Sequence, residues 1–154
     1  MFQLRNLRRN LKFTGLVIAT TLGTVTLSAP PTSSHQVKVA QDIGVTMHLD
    51  PSHNPRVNKK SLAWFALTKK GGRVIPMKKC NCTLEVYKKP TTKDSKAILT
   101  PKLKPISAER YKNIPGAEIT FTSVGNYELV LRGYPTEVGE FKPFNIKFPV
   151  TVAK

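Results

Sequence analysis

Apolar residues recur at every second position in several stretches of this chain, the period of a β-strand with one buried face. Between Gly125 and Gly133, Tyr127, Leu129 and Leu131 fall on one side and Glu128, Val130 and Arg132 on the other. That stretch predicts a short strand entered and left by glycine turns. Val45, Met47 and Leu49 alternate in the same way with Thr46, His48 and Asp50. Residues 144–152 give the longest alternation, through Phe144, Ile146, Phe148, Val150 and Val152, and Pro149 on the other face points to an edge or a bulge. Residues 61–68 are instead apolar on both faces and predict either a central strand covered on both sides or one carrying a surface aromatic. Trp64 is read there as core or groove wall rather than as a ligand-stacking residue.

The intervening segments complete the pattern. Residues 51–60, with Pro51, Pro55, Asn54 and Asn58, read as a loop, and Lys69, Lys70, Gly71 and Gly72 as a turn before Val74, Ile75 and Pro76. Cys80, Cys82, Leu84 and Val86 share one face of the next strand. Residues 88–105, rich in Lys, Thr and Pro, predict a long loop holding one short edge strand. The S-A-E-R-Y segment within 106–115 predicts a single helical turn, residues 117–121 a strand, and residues 134–141 a second Pro- and Gly-containing loop. Strands with one greasy face must pair and pack against a second sheet, so the chain reads as an all-β sandwich of about seven strands over residues 42–154.

Composition adds a leader and a charge. Of the 154 residues, the first 34 read as a signal segment: Arg5, Arg8, Arg9 and Lys12 precede the apolar run 13–29, and Pro30, Pro31, Ser33 and Ser34 then break the pattern. The run is 17 residues long and interrupted by glycines, whereas a spanning helix wants about 20, so cleavage is preferred to an uncleaved anchor that would associate the protein with a membrane. The protein is expected outside the cytoplasm, in a periplasm, lumen or extracellular space.

The strand order, the G-x-Y-x-L-x-L-x-G strand at 125–133 and the earlier F-x-L-x-K-x-G-G-x-x-I-P turn at 65–76 resemble the immunoglobulin-like modules of small secreted bacterial proteins of the YtkA-like and CopC-like kind. The resemblance covers residues 45–152 and implies an immunoglobulin-like β-sandwich. Both cysteines lie in one strand, so no bridge of the antibody type joins the two sheets.

No G-x-S-x-G, H-E-x-x-H, G-x-G-x-x-G or P-loop pattern occurs, and the nine acids are scattered, so the chain is read as non-enzymatic and in its first reading cofactor-free. Cys80-x-Cys82 is either a buried core pair or a local disulfide, and paired thiolates are also soft-metal donors. Lysine doublets at Lys59 and Lys60, Lys69 and Lys70, Lys78 and Lys79, and Lys88 and Lys89 fall near strand ends. They serve solubility and edge protection, or they attract an anionic partner: an acidic protein, a membrane surface or a polysaccharide. Nucleic acid is excluded by the export signal and the scarcity of arginine.

The leading expectation is therefore an exported binding or accessory module with a lysine-rich surface. The alternative is copper binding. The resemblance to CopC-like proteins implies an amino-terminal histidine ligand, which cleavage after Ser34 would supply as His35. His48 and Asp50 share the outer face of the first predicted strand with His53 just beyond, and these complete the candidate ligand set.

Overall fold

The computed structural model describes residues 35–154; the signal segment read over 1–34 lies outside the described residues. The doubly apolar stretch becomes the centre of the larger sheet. Strand β3 (Lys60–Lys69) pairs antiparallel with β2 (Ile43–Asp50) on one side, and with β7 (Tyr111–Thr120) and the two-residue β4 (Val74–Ile75) on the other. β1 (Gln36–Ala40) extends the sheet beyond β2, and β6 (Lys104–Ala108) extends it beyond β7. The second sheet is three-stranded and antiparallel, with β8 (Gly125–Pro135) between β5 (Cys80–Lys88) and β9 (Phe144–Val152).

The alternating side chains explain why the sheets stack. Ile43, Val45, Met47 and Leu49 of β2 and Ala63, Phe65 and Leu67 of β3 are fully buried in one cluster with Leu84, Val86, Leu129, Leu131 and Phe148 of the smaller sheet. Each large side chain removed from water contributes about 1.5–3 kcal/mol, so this interior dominates the stability of the sandwich.

A second, smaller cluster lies on the opposite face of β3. It unites Trp64 and Ala66 with Tyr111 and Ile114, flanked by Ile106 and Val74. Gly116 pairs with Trp64 across β3 and β7, and a Cβ there would stand 2.5 Å from Ile106 Cδ1, so glycine is what lets Ile106 lie over the strand. The central strand is thus covered on both faces, as its composition requires.

Three expectations are corrected. The helical turn over S-A-E-R-Y is instead the β6–β7 hairpin, with Ile106 opposite Ile114 and Ala108 opposite Tyr111. Burying Ile106, Ile114 and Tyr111 against Trp64 outweighs the local preference of the intervening residues. Nine strands form among the described residues rather than about seven, because this hairpin and the edge strand β1 add to the count. β1 escapes the pattern because Val37 and Val39 are exposed and its ladder with β2, not a buried face, defines it. Gly133 does not end β8, which continues to Pro135. A Cβ at Gly133 would collide with the Phe144 ring and stand 2.9 Å from Cys80 Sγ, so this glycine makes room between packed side chains.

Candidate metal centre

β2 sends His48 and Asp50 to its outer face, two positions apart, and the ladder sets His48 directly opposite Trp64 of β3. The imidazole stacks on the indole, with ring centres 5.0 Å apart and planes at 22°. Trp64 Nε1–H donates to Asp50 Oδ2 at 3.0 Å, and Asp50 Oδ1 lies 3.0 Å from His48 Nε2. An ionised carboxylate only accepts, so the proton on His48 belongs to Nε2.

The loop after β2 brings His53 back onto the same ring, with its Nε2 3.0 Å from His48 Nδ1. With both rings neutral, His48 Nδ1 accepts and His53 Nε2–H donates, which leaves the His53 lone pair on Nδ1. That nitrogen is buried and has no hydrogen-bond partner. Burial, reinforced by the nearby His48 and His35, pushes the His53 pKa below that of a free imidazole. A neutral imidazole with an unshared lone pair is the form that ligates a metal.

His35, just before β1, completes the convergence. Its ring meets His48 edge-on at 4.8 Å and Trp64 at 5.7 Å, and its Nε2 lies 3.2 Å from Glu109 Oε1. Glu109 is the first of two residues at the tip of the β6–β7 hairpin and has a left-handed φ of 51°. Hairpin tips of that shape favour glycine or asparagine, and another residue there stores about 1–3 kcal/mol. The strain places a carboxylate over the histidines. One donor atom from each of His35, His48 and Glu109 falls within 4.8 Å of the others.

All three histidines of the chain therefore meet, although 18 positions separate the first from the last. The four residues singled out in the sequence, His35, His48, Asp50 and His53, are in one place. Asp50 is turned toward Trp64 and His48 as an orienting group. Glu109 and Trp64 complete the site; the helical reading of S-A-E-R-Y hid the first, and the second was read as core or groove wall.

No known family's sequence pattern matches the chain, and no curated protein is similar to it in sequence. Among solved structures, a DUF4426 family protein from Pseudomonas aeruginosa PAO1 superposes with a TM-score of 0.52 at 11% identity, over 78% of this chain and 97% of that one. FetP of uropathogenic E. coli strain F11, recombinantly expressed in the periplasm of E. coli BL21(DE3), gives a TM-score of 0.49 at 13% identity, over 75% of this chain and 91% of that one. The feature shared with the DUF4426 family protein is the fold. At such identities a common fold carries no common site.

Elsewhere, Cys80 and Cys82 are joined as a local disulfide within β5, with α-carbons 5.1 Å apart. The lysine doublets are split by internal pairing. Lys60 meets Glu118, Lys79 meets Glu137 and Glu140, Lys89 meets Glu128, and Lys69 donates to the Gly139 and Glu140 carbonyls. Lys59, Lys70, Lys78 and Lys88 are exposed, Lys88 donating to Ser123 Oγ. The first two stand at opposite ends of β3, so they belong to different poles of the sandwich.

Proposed function

We propose that this protein is an exported, non-enzymatic β-sandwich module that holds one Cu(II) ion through His35, His48 and Glu109. The observation that supports it is the convergence of every histidine in the chain on one carboxylate-lined spot, next to a buried imidazole nitrogen with no partner. Two imidazoles and a carboxylate suit Cu(II), which ranks highest among the first-row divalent ions at such nitrogen and oxygen sites. Whichever His48 nitrogen the ion takes, the other keeps its own partner, Asp50 or His53. That partner fixes the ring, as outer carboxylates and imidazoles do around metal-bound histidines. The leader pattern supports export, and cleavage after Ser34 would add the His35 α-amine to the ligand set.

The experiment pairs amino-terminal sequencing of the exported protein with a competition titration against a Cu(II) chelator of known affinity. The expected outcome is one equivalent bound by the wild type and strongly weakened binding in His35→Ala. Equal affinity of the two would remove the proposal.

A second reading, docking to an anionic extracytoplasmic partner, rests on charge. The 25 bases less the four in residues 1–12 leave 21 against nine acids over the described residues. Five of those acids, Glu85, Glu118, Glu128, Glu137 and Glu140, are held in pairs with lysine or arginine, so the exposed lysines face solvent with little nearby counter-charge. A pull-down at low and high salt tests it: electrostatic partners are lost on screening, whereas partners retained equally at both salts would contradict it.

A further inference from the structure

We propose that Cys80, Cys82 and Met77 form a second metal site, for Cu(I), that opens when the Cys80–Cys82 disulfide is reduced. The inference is independent of the histidine centre. The disulfide joins two same-face positions of β5, an outer strand of the three-stranded sheet paired here with β8 alone. Cys80 is buried in the core cluster and Cys82 is half-buried against it, and each residue also borders a surface groove. Cys80 lines one surface groove together with Met77, and Cys82 lines another beside Leu103.

Sulfur is concentrated at this point. The described residues hold four sulfur-bearing side chains, and three of them are here, while Met47 sits on β2 in the opposite sheet. Met77 belongs to the short 3-10 turn Met77–Lys79 that leads directly into Cys80, so the thioether and both sulfurs arrive from one six-residue stretch of chain. Two cysteines alone are too few for a closed tetrahedral site. Met77, which lines the same groove as Cys80, offers a thioether as the third soft donor, and thiolate with thioether is the set that selects Cu(I).

The chemistry balances with a dithiol reductant. Thiol–disulfide exchange breaks the Cys80–Cys82 bond, delivers two electrons and two protons to make two thiols, and releases the reductant as its own disulfide. Cu(I) then displaces the two thiol protons and forms two copper–sulfur bonds without changing its oxidation state.

The test is an anaerobic titration of the full chain with Cu(I) against the chromophoric chelator bicinchoninate, before and after reduction with dithiothreitol and removal of the reductant. Reduced wild type is expected to retain one equivalent, and oxidised wild type and Cys80→Ser/Cys82→Ser none. Met77→Leu should compete more weakly than wild type, and His35→Ala/His48→Ala as well as wild type. Because the first comparison uses one unaltered sequence, a variant that fails to fold does not decide the matter; far-UV circular dichroism checks that the reduced chain keeps its sheets. Equal retention by oxidised and reduced wild type, equal competition by wild type and Met77→Leu, loss of retention in the histidine variant, or unfolding on reduction would each overturn the proposal.

Discussion

His53 Nε2 stands 3.0 Å from His48 Nδ1, while His48 Nε2 stands 3.0 Å from Asp50 Oδ1, so one imidazole is gripped at both nitrogens by groups on either side. A ring held in this way has its tautomer and its direction set before any ligand arrives. Asp50 is itself held by Trp64. The order of dependence runs from the indole through the carboxylate to the imidazole, and each link can be removed separately.

Asp50→Asn tests the middle link. The amide keeps an acceptor for the indole but turns a weaker or mismatched group toward His48, so Cu(II) affinity should fall roughly 10–100-fold with the fold intact. Isothermal titration of the variant beside wild type measures it; unchanged affinity would show that Asp50 does not position the ring.

Glu109→Gly separates the site from the sandwich. Glycine accepts the left-handed φ of 51° that glutamate adopts under strain, so thermal stability should hold or rise, by up to about 1–3 kcal/mol. Cu(II) affinity should drop because a ligand is gone. Glu109→Gln, which keeps the strain and removes the charge, should also bind weakly without the gain in stability. A variant that loses stability and keeps its affinity would reverse the assignment.

Gly133→Ala probes the glycine read from the sequence as a turn. Its Cβ would press on the Phe144 ring and on Cys80 Sγ, so the change should cost about 1–3 kcal/mol in chemical denaturation. A neutral result would mean that β8 and β9 shift apart easily.

Glu140 predicts a pH dependence remote from the histidines. A hydrogen bond from Arg73, opposed by burial and aided by Lys79, holds its carboxyl below the ordinary carboxylate range. A lowered folded-state pKa contributes stability above the unfolded value, and that stability is lost as pH falls through the folded one. Glu140→Gln should therefore melt below wild type at neutral pH, and the gap should close in acid. Melting curves across that range check the sign, and a gap that widens in acid would contradict it.

The periodicity of the chain carried the sandwich a long way. Period-two alternation located β2, β5, β8 and β9, and the run apolar on both faces located β3, because burial on one or two faces leaves its mark directly in the sequence. It missed β1, whose valines are exposed, and the β6–β7 hairpin, whose pairing depends on Trp64 some fifty positions earlier. The site was half legible for the same reason. His48 and Asp50 share a face by simple alternation, whereas Glu109 reaches them only through a hairpin that no local pattern announces.

The central claim, that His35, His48 and Glu109 hold Cu(II), is tested most directly by the fluorescence of Trp64, the only tryptophan in the chain, whose ring lies 5.0 Å from that of His48. A paramagnetic ion bound at His48 sits within quenching range. Titration of the folded protein with Cu(II) should quench the emission to an end point at one equivalent, with a chelator restoring it and His48→Ala showing no saturable loss. Emission that does not change through one equivalent of Cu(II), or that falls identically in His48→Ala, would contradict the account.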